Sequence, residues 1–300
     1  MISDWIAVDW GTSNLRAWAM GPDGVLASGS SDDGMGKLTQ AEFEPALLRL
    51  IAPWLGAGQT PVIACGMVGA RQGWREAPYR QTPCAPVASG ALMAVQTDDP
   101  RLRMMIAPGL SQSKPADVMR GEETQIAGAL ALLSNFDGVF CLPGTHSKWA
   151  HVSAGEVVSF QTFMTGEMFA LLSQHSVLRH GMGGEGEDDA AFAEGLADAM
   201  ARPEKISARL FTLRAEGLLH GLSPAAARAR LSGLLIGLEL AAAKPYWLGQ
   251  RIALIGAAAL STRYADALQA QGAASETLDA TACTLAGLAA ARGLMQKAMP

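Results

Sequence analysis

Near the amino terminus, a short apolar run is followed at once by residues that suit a metal–phosphate complex. Residues 6–8 form the apolar run, and Asp9 follows it directly. Gly11, Thr12 and Ser13 come next, and they offer close backbone approach together with hydroxyl and N–H donors. A carboxylate beside such donors suits Mg²⁺ held by Asp9, with phosphate oxygens held by the turn. The alternative is a polar hairpin turn in which these residue types serve only the turn.

A second turn of the same kind lies about 130 residues further along the chain. Residues 139–142 predict a buried strand, and the small-residue sequence Pro-Gly-Thr-His-Ser-Lys follows at 143–148. Strands and turns alternate after both stretches in the same order. We therefore predict an internal structural repeat that carries two phosphate-type turns.

A loop rich in glycine and arginine follows another predicted buried strand, which lies between the two phosphate-type turns in the sequence. The apolar residues 60–65 predict a parallel strand, and open α/β sheets bind ligands at the carboxyl ends of such strands. The polar and aromatic side chains of this loop are Arg71, Gln72, Trp74 and Arg75. An arginine fork can hold a carboxylate, and an indole can cover a sugar face. The alternative is a surface loop whose arginines are merely solvated.

Two predicted helices carry further candidates. Glu122 and Glu123 open a helix, where the macrodipole favours carboxylates, and the small residues that follow allow another helix to approach closely. A buried strand at 252–255 runs into Gly256 and Ala257 at the start of a later helix. A glycine at that junction permits close approach of a flat ligand such as adenine, and a plain strand-to-helix turn explains it equally well.

The rest of the pattern describes the elements that must position these residues. The chain of 300 residues suits two domains, and its 49% hydrophobic and 17% charged residues are typical of well-buried cores. Thr39 and Glu42 predict a capping box that opens a helix over residues 39–55. Residues 111–120 predict a polar loop, and an alanine-rich helix is predicted at 281–298.

Charge and composition exclude several classes of function. A net charge of −5 argues against nucleic acid or an anionic membrane surface as the main partner. The opening residues lack a signal-peptide pattern and the apolar segments are too short to span a bilayer, so we expect a cytoplasmic protein. Four scattered cysteines predict buried thiols, and the histidine spacing disfavours a structural zinc.

The order of these stretches resembles the sugar-kinase and actin superfamily. The corresponding segments are 9–16, 122–130, 142–148, 252–260 and 281–298. More specifically, several longer segments resemble the 2-dehydro-3-deoxygalactonokinase family. They read DWGTSNLRAW, GMVGARQGW, APYR, MRGEETQIAG, LPGTHSKW and FMTGEMFALLSQHSVL.

This resemblance implies an α/β fold of two ribonuclease-H-like domains, in the actin and sugar-kinase architecture, with an interdomain cleft. Residues 1–131 would form the first domain, with phosphate motif one and the sugar-acid site. Residues 132–300 would form the second domain, with phosphate motif two and the adenosine motif. The last helix, 281–298, would pack at the interdomain hinge.

The activity implied by the resemblance is ATP-dependent, Mg²⁺-dependent phosphorylation of the C6 hydroxyl of 2-dehydro-3-deoxy-D-galactonate, in galactonate catabolism. Asp9 would hold the metal. The ATP contacts would come from Gly11, Thr12, Ser13, Gly144, Thr145, His146, Lys148, Gly256 and Ala257. The substrate contacts would come from Arg71, Gln72, Trp74, Arg75 and Arg16. For the substrate carboxylate, Arg16, Arg80 and Arg120 are rivals of Arg71, and Lys148 has the alternative of a solvated surface lysine.

Related sugar kinases commonly place a catalytic aspartate at the start of the first interdomain helix. Glu122 occupies that place here, and we predict that it is the catalytic base. Consecutive helical residues diverge by about 100°, so only one of Glu122 and Glu123 is expected to point toward a substrate. The alternatives are that Glu123 is the base, or that both carboxylates only complement the helix dipole.

Two other functions compete with this prediction. One is a kinase of the same superfamily that acts on another small sugar or sugar acid. The other is a binding protein that uses ATP as a conformational switch, although the chain has no basic patch or coiled coil to support it. The predicted partners are ATP and a small sugar acid, without nucleic acid or membrane. The sequence leaves the oligomeric state open, with a homodimer as one candidate.

Overall fold

The computed structural model describes residues 2–183 and 186–297. They fold into two units. The first unit takes its described residues from Met1–Asp137, Val152–Ser159 and Ala280–Pro300, and the second takes them from Gly138–His151 and Phe160–Asp279. Two units agree with the two domains expected from the chain length. The predicted domain boundary between residues 131 and 132 stays a prediction.

Within these residues, strands and helices alternate along most of the chain. The strands are β1 Trp5–Trp10, β2 Leu15–Gly21, β3 Gly24–Ser31, β4 Thr60–Gly66, β5 Arg80–Gln81, β6 Met93–Val95, β7 Leu102–Ile106, β8 Leu110–Ser113, β9 Ala116–Met119, β10 Gly138–Leu142, β11 Ser147–Ser153, β12 Glu156–Phe163, β13 Ile252–Gly256 and β14 Ser275–Asp279. The helices are α1 Phe43–Ile51, α2 Glu122–Leu132, α3 Thr165–Gln174, α4 Asp189–Ala201, α5 Ile206–Leu219, α6 Pro224–Ala242, α7 Lys244–Trp247, α8 Ala258–Gln269 and α9 Ala280–Lys297.

The two main sheets repeat one strand order. The first sheet runs β3-β2-β1-β4-β7-β6, and the second, most of it in the second unit, runs β12-β11-β10-β13-β14. In the first sheet β2 pairs antiparallel with β1, whereas β4 pairs parallel with it. β1 and β10 are buried along almost their whole length, as suits central strands covered on both faces. The predicted internal repeat and the α/β class are confirmed.

An aromatic cluster fills the core on one face of the first sheet. The Trp10 ring lies 5.0 Å from the Phe43 ring and 6.2 Å from the Trp74 ring, measured between centroids. Phe43 comes from α1, which follows the predicted capping box of Thr39 and Glu42. This packing fixes α1 and the segment around Trp74 against β1.

Three expectations about secondary structure were incomplete or wrong. The helix predicted over 39–55 is α-helical only in α1, with short 3₁₀ turns on each side. Residues 111–120 are not a loop, because β8 and β9 pair antiparallel and join β5 in a small sheet. Only Leu110 and Met119 of that hairpin are buried, so its sequence lacks apolar alternation. The edge strand β14 was not predicted either, because it too lacks a fully buried residue.

Helices α2 and α9 pack backbone to backbone within the first unit. A Cβ atom on Gly128 would overlap the carbonyl of Cys283, and one on Gly287 would overlap the carbonyl of Thr124. The predicted close approach of another helix to the small residues of α2 is therefore confirmed. Cys65, Cys141 and Cys283 are buried thiols, as predicted, and Cys84 is half-buried. Across the described ranges, each helix is too short or too polar to cross a bilayer.

Replacing Gly128 with alanine should destabilise the protein, because the new methyl group has to push the two helix backbones apart. We expect Gly128→Ala to cost about 1–3 kcal/mol and to lower the thermal midpoint by several degrees. Gly293→Ala is the matched control, because a Cβ atom there meets nothing within 4 Å and α9 continues through it. That variant should be neutral or up to about 1 kcal/mol more stable. Equal midpoints for the two variants would contradict the packing argument.

Candidate active site

The turn after β1 is a hairpin whose back is held by a second segment. Asp9 lies opposite Arg16 in the β1–β2 register, and their side chains form an ion pair. The carbonyl oxygens of Gly11 and Thr12 accept hydrogen bonds from the backbone N–H groups of residues 35 and 36. The side chains of Thr12 and Ser13 lie at the surface of the turn. The turn is therefore held by its carbonyls, while its hydroxyl side chains face outward.

The two glutamates at the start of α2 occupy different environments. Glu123 is fully buried, and its carboxylate accepts hydrogen bonds from the Gly121 N–H at 2.6 Å and the Thr124 hydroxyl at 2.9 Å. Burial, aided by the charge of Glu122, raises the pKa of Glu123 to about 7. Glu122 is half-buried, and its carboxylate accepts the backbone N–H of Arg120 at 3.0 Å. The two adjacent carboxylates therefore differ in burial and in hydrogen-bond partners.

The candidate carboxylate anchors differ in how much of their hydrogen-bonding capacity is in use. The loop residues Arg71, Gln72 and Arg75 are exposed. Arg80 donates to the carbonyl of Ala85 at 2.7 Å. Arg120 is buried.

Trp74 lies apart from its exposed neighbours in the loop. The residue is 7% exposed, and its ring stacks against that of Phe43 at 6.3 Å between centroids, inside the hydrophobic core. This environment indicates a core role for Trp74, because little of the ring face is left to cover a ligand. The sugar-acid contact assigned to it stays a prediction.

The second phosphate-type turn lies directly against the start of α3. A Cβ atom on Gly166 would overlap the carbonyl of Gly144, and the Glu167 N–H donates to the Thr145 carbonyl at 2.9 Å. The His146 ring bonds the Glu167 carboxylate at 2.5 Å. The turn thus presents small or exposed residues at the point where α3 begins, and a helix start favours anions.

Lys148 is not the solvated lysine of the alternative interpretation. It is 4% exposed, and its ammonium group donates to the carbonyl of His146 at 3.3 Å. A buried lysine directed back toward its own turn is consistent with a role in binding negative charge.

A buried carboxylate that sequence reasoning missed connects the elements around this turn. Glu239 of α6 accepts hydrogen bonds from Trp149 Nε1 at 2.8 Å, from the Tyr264 hydroxyl at 2.7 Å and from the Thr165 hydroxyl. Burial raises the pKa of Glu239. The Ser147 hydroxyl in turn bonds that of Tyr264 at 3.0 Å. The sequence signal was available, since Glu239 is the only acidic residue within the apolar run of α6.

A cavity of about 340 Å³ opens beside the same turn, within the second unit. Its lining is mainly apolar and includes Gly144, Thr145, Gly166, Phe169, Leu260 and Tyr264. Gly256 and Ala257 do not line it. A Cβ atom on Gly256 would lie 3.2 Å from the Pro143 carbonyl, so close packing within the protein already explains that glycine. Their predicted ATP contacts stay predictions.

The comparison with protein families is decisive. The model of the 2-keto-3-deoxy-galactonokinase family matches residues 9–291, which is nearly the whole chain. The chain belongs to this family.

Curated and solved relatives of the galactonokinase family agree. The chain is 42% identical over 293 residues, 95% of both sequences, to the protein named Probable 2-dehydro-3-deoxygalactonokinase DgoK1 from Rhizobium meliloti (strain 1021). It is 36% identical over 73% of both sequences to the 2-dehydro-3-deoxygalactonokinase of Escherichia coli (strain K12). A crystal structure of a protein assigned as a 2-dehydro-3-deoxygalactonokinase from Sinorhizobium meliloti superposes with a TM-score of 0.89 at 41% identity, covering 96% of this chain and 97% of that one.

A more distant likeness shows the fold alone. Component A of (R)-2-hydroxyglutaryl-CoA dehydratase from Acidaminococcus fermentans superposes with a TM-score of 0.51 at 13% identity, covering 97% of this chain and 98% of that one. The fold predicted for this galactonokinase family member therefore extends to proteins with little sequence in common.

Glu123 should make the stability of this galactonokinase family member depend on pH. Its raised pKa means that the folded state prefers the protonated acid, so its contribution is fully present below pH 4.5 and is lost as the pH rises through about 7. Relative to Glu123→Gln, the wild type should lose about 3 kcal/mol of unfolding free energy between pH 4 and pH 8. Thermal midpoints of both proteins across this range measure the difference.

Glu76→Gln serves as the control for removing a carboxylate, because Glu76 is exposed in the same unit. A difference between wild type and Glu123→Gln that stays constant from pH 4 to pH 8 would contradict the burial argument.

Proposed function

We propose that this chain transfers the γ-phosphoryl group of ATP to the C6 hydroxyl of 2-dehydro-3-deoxy-D-galactonate. The products are the 6-phosphate and ADP. The observation that carries this proposal is the family match over residues 9–291, joined by 42% identity to a curated relative across 95% of both chains. Both phosphate-type turns are consistent with it, because phosphoryl transfer depends mainly on positioning and electrostatic stabilisation.

The second unit is proposed to bind the nucleotide. The cavity beside Gly144 and Thr145 is large enough for part of a nucleoside and mostly apolar, as ligand sites commonly are. Exposed Thr145 and His146, the start of α3 and the buried Lys148 supply donors and positive charge for phosphate oxygens. These features favour binding of the base in the cavity and of the phosphates at the turn.

The first hairpin is proposed to hold Mg²⁺ through Asp9. The described residues contain no cluster of three or more metal-ligating side chains. Mg²⁺ bound with a nucleotide commonly uses one or two carboxylates together with phosphate oxygens and waters. When bound, the ion neutralises the charge that develops on the phosphates. Asp9 is paired with Arg16. Arg16 therefore holds the carboxylate in place beside Gly11, Thr12 and Ser13.

Glu122 is the better candidate for the catalytic base. Glu123 is fully buried and each of its oxygens accepts a hydrogen bond within its own helix turn, whereas Glu122 is half-buried. Glu122 would accept the proton of the C6 hydroxyl as the new O–P bond forms. The bond from the γ-phosphorus to the bridging oxygen then breaks, and ADP leaves with that electron pair.

The sugar acid is proposed to bind near the loop after β4. Arg71, Gln72 and Arg75 are exposed there and can reach a solvent-borne ligand. They offer charge and hydrogen bonds at the carboxyl end of a central parallel strand, where α/β sheets commonly bind ligands.

Coupled ADP release across a panel of 2-keto-3-deoxy sugar acids and aldonic acids tests the proposed activity. We expect the highest kcat/KM with 2-dehydro-3-deoxy-D-galactonate and dependence on Mg²⁺. A higher kcat/KM with another acceptor would assign the chain to that substrate instead. Slow ATP hydrolysis that no sugar acid accelerates would support the ATP-switch alternative.

The Glu122→Gln variant tests which of the two glutamates is the catalytic base. We expect kcat to fall by about 10²–10⁴-fold, because the C6 hydroxyl loses its proton acceptor, while KM for ATP changes little. Glu123→Gln is the matched control and should be mild at pH 7. Steady-state kinetics in both substrates measure these effects. The reverse ranking would transfer the role to Glu123, and two mild variants would leave the start of α2 structural.

A further inference from the structure

Arg120 is a buried cation whose guanidinium is only partly hydrogen-bonded. The residue is 9% exposed and immediately precedes Gly121 at the start of α2. One nitrogen, Nη2, donates to the carbonyl of Ala77 at 2.8 Å, and the group lies 4.3 Å from the centroid of the Tyr79 ring. Nε and Nη1 are buried without a hydrogen-bond partner. Within residues 2–183 and 186–297, we find no ion pair that involves Arg120.

Another buried arginine of the same protein shows the usual compensation. Arg230 is 8% exposed, and its guanidinium pairs with Glu194 at 2.7 Å and with Glu216 at 2.5 Å. A buried charge without such partners is costly, because it gives up hydration without gaining a counter-charge. Arg120 keeps one carbonyl contact and the face of the Tyr79 ring. It has no counter-charge among the described residues, and an anionic ligand would supply one.

The protein leaves space for this guanidinium by using glycine around it. A Cβ atom on Gly69 would lie 2.8 Å from Arg120 Nη1 and equally close to Ile106. Gly69 follows the carboxyl end of β4, in the segment that leads to Arg71 and Arg75. The backbone of Arg120 is also bonded to the carboxylate of Glu122, so the cation and the proposed base lie on one short segment.

We propose that Arg120 binds the carboxylate of the acceptor and thereby makes the enzyme select sugar acids over neutral sugars. This inference rests on the proposed function, and it names the anchor within that site. Of the rival anchors, Arg16 is paired with Asp9 and Arg80 is bonded to Ala85, while Arg71 is exposed to water. A charge-assisted bond to a carboxylate is worth most where water is excluded, which is the situation of Arg120.

The test compares two acceptors that differ in the charge at C1. The assay measures kcat/KM for 2-dehydro-3-deoxy-D-galactonate and for its neutral C1 amide, in wild type and in Arg120→Met. In the wild type we expect the acid to be strongly preferred. In the variant, the acid-to-amide ratio should fall by about 10–100-fold, with KM for ATP nearly unchanged. Arg49→Met, an exposed arginine of α1, is the matched control and should retain the wild-type ratio.

A purely structural role for Arg120 predicts a different result. It would lower kcat/KM for the acid and the amide alike and leave their ratio unchanged, which would overturn the inference. A variant that raises KM for ATP instead would place a phosphate at Arg120 and would overturn it as well.

Arg120→Lys keeps the test decisive if the methionine variant does not fold. It retains the charge but not the planar donor geometry, so the ratio should fall less than in Arg120→Met but measurably. A wild-type ratio in Arg120→Lys would count against the carboxylate contact. Absence of acceptor-dependent ADP release in the wild type would overturn the proposed function itself, an outcome distinct from failure at Arg120.

Discussion

Three backbone segments meet at the carboxyl edge of the first sheet so closely that side chains cannot separate them. A Cβ atom on Gly66 would lie 2.7 Å from the Trp10 carbonyl, and one on Gly121 would lie 3.3 Å from the Gly66 Cα. Both glycines have positive φ angles, of 91° and 108°, which other residues rarely adopt. This contact brings the end of β4 next to β1 and starts α2 against it. The position of Glu122 relative to the first hairpin depends on this glycine contact.

Each unit contains a buried carboxylate that accepts several hydrogen bonds, Glu123 at the start of α2 and Glu239 beside the second turn. Glu123 accepts donors from its own helix turn, whereas Glu239 accepts donors from two other helices and a strand. Buried acceptors of this kind are directional, so they fix side-chain geometry that nonpolar contacts leave adjustable. Burial raises the pKa of both Glu123 and Glu239. Placing these carboxylates in the interior therefore destabilises their charged form.

The sequence predicted the parts of the fold that depend on local signals. The two strand–turn–strand repeats, the capping box at Thr39 and the small-residue face of α2 were all readable, because apolar runs and glycine patterns cause them directly. The β8–β9 hairpin escaped because its strands are largely exposed and polar. The core position of Trp74 and the network of Glu239 escaped because they depend on residues distant in sequence, and no local pattern reports which partners meet.

The candidate anchors show most clearly what tertiary structure adds. From the sequence, Arg71 is the preferred anchor, and Arg16, Arg80 and Arg120 are its rivals. Folding makes them unequal, since two are engaged by the protein, one is hydrated, and one is buried with nitrogens left unpartnered. A hydrated arginine gains little from a ligand because it must first release water. A buried one has already lost that water on folding, so an incoming carboxylate recovers interaction energy that a neutral sugar cannot supply. Acceptor selectivity would then follow from the desolvation of a single side chain.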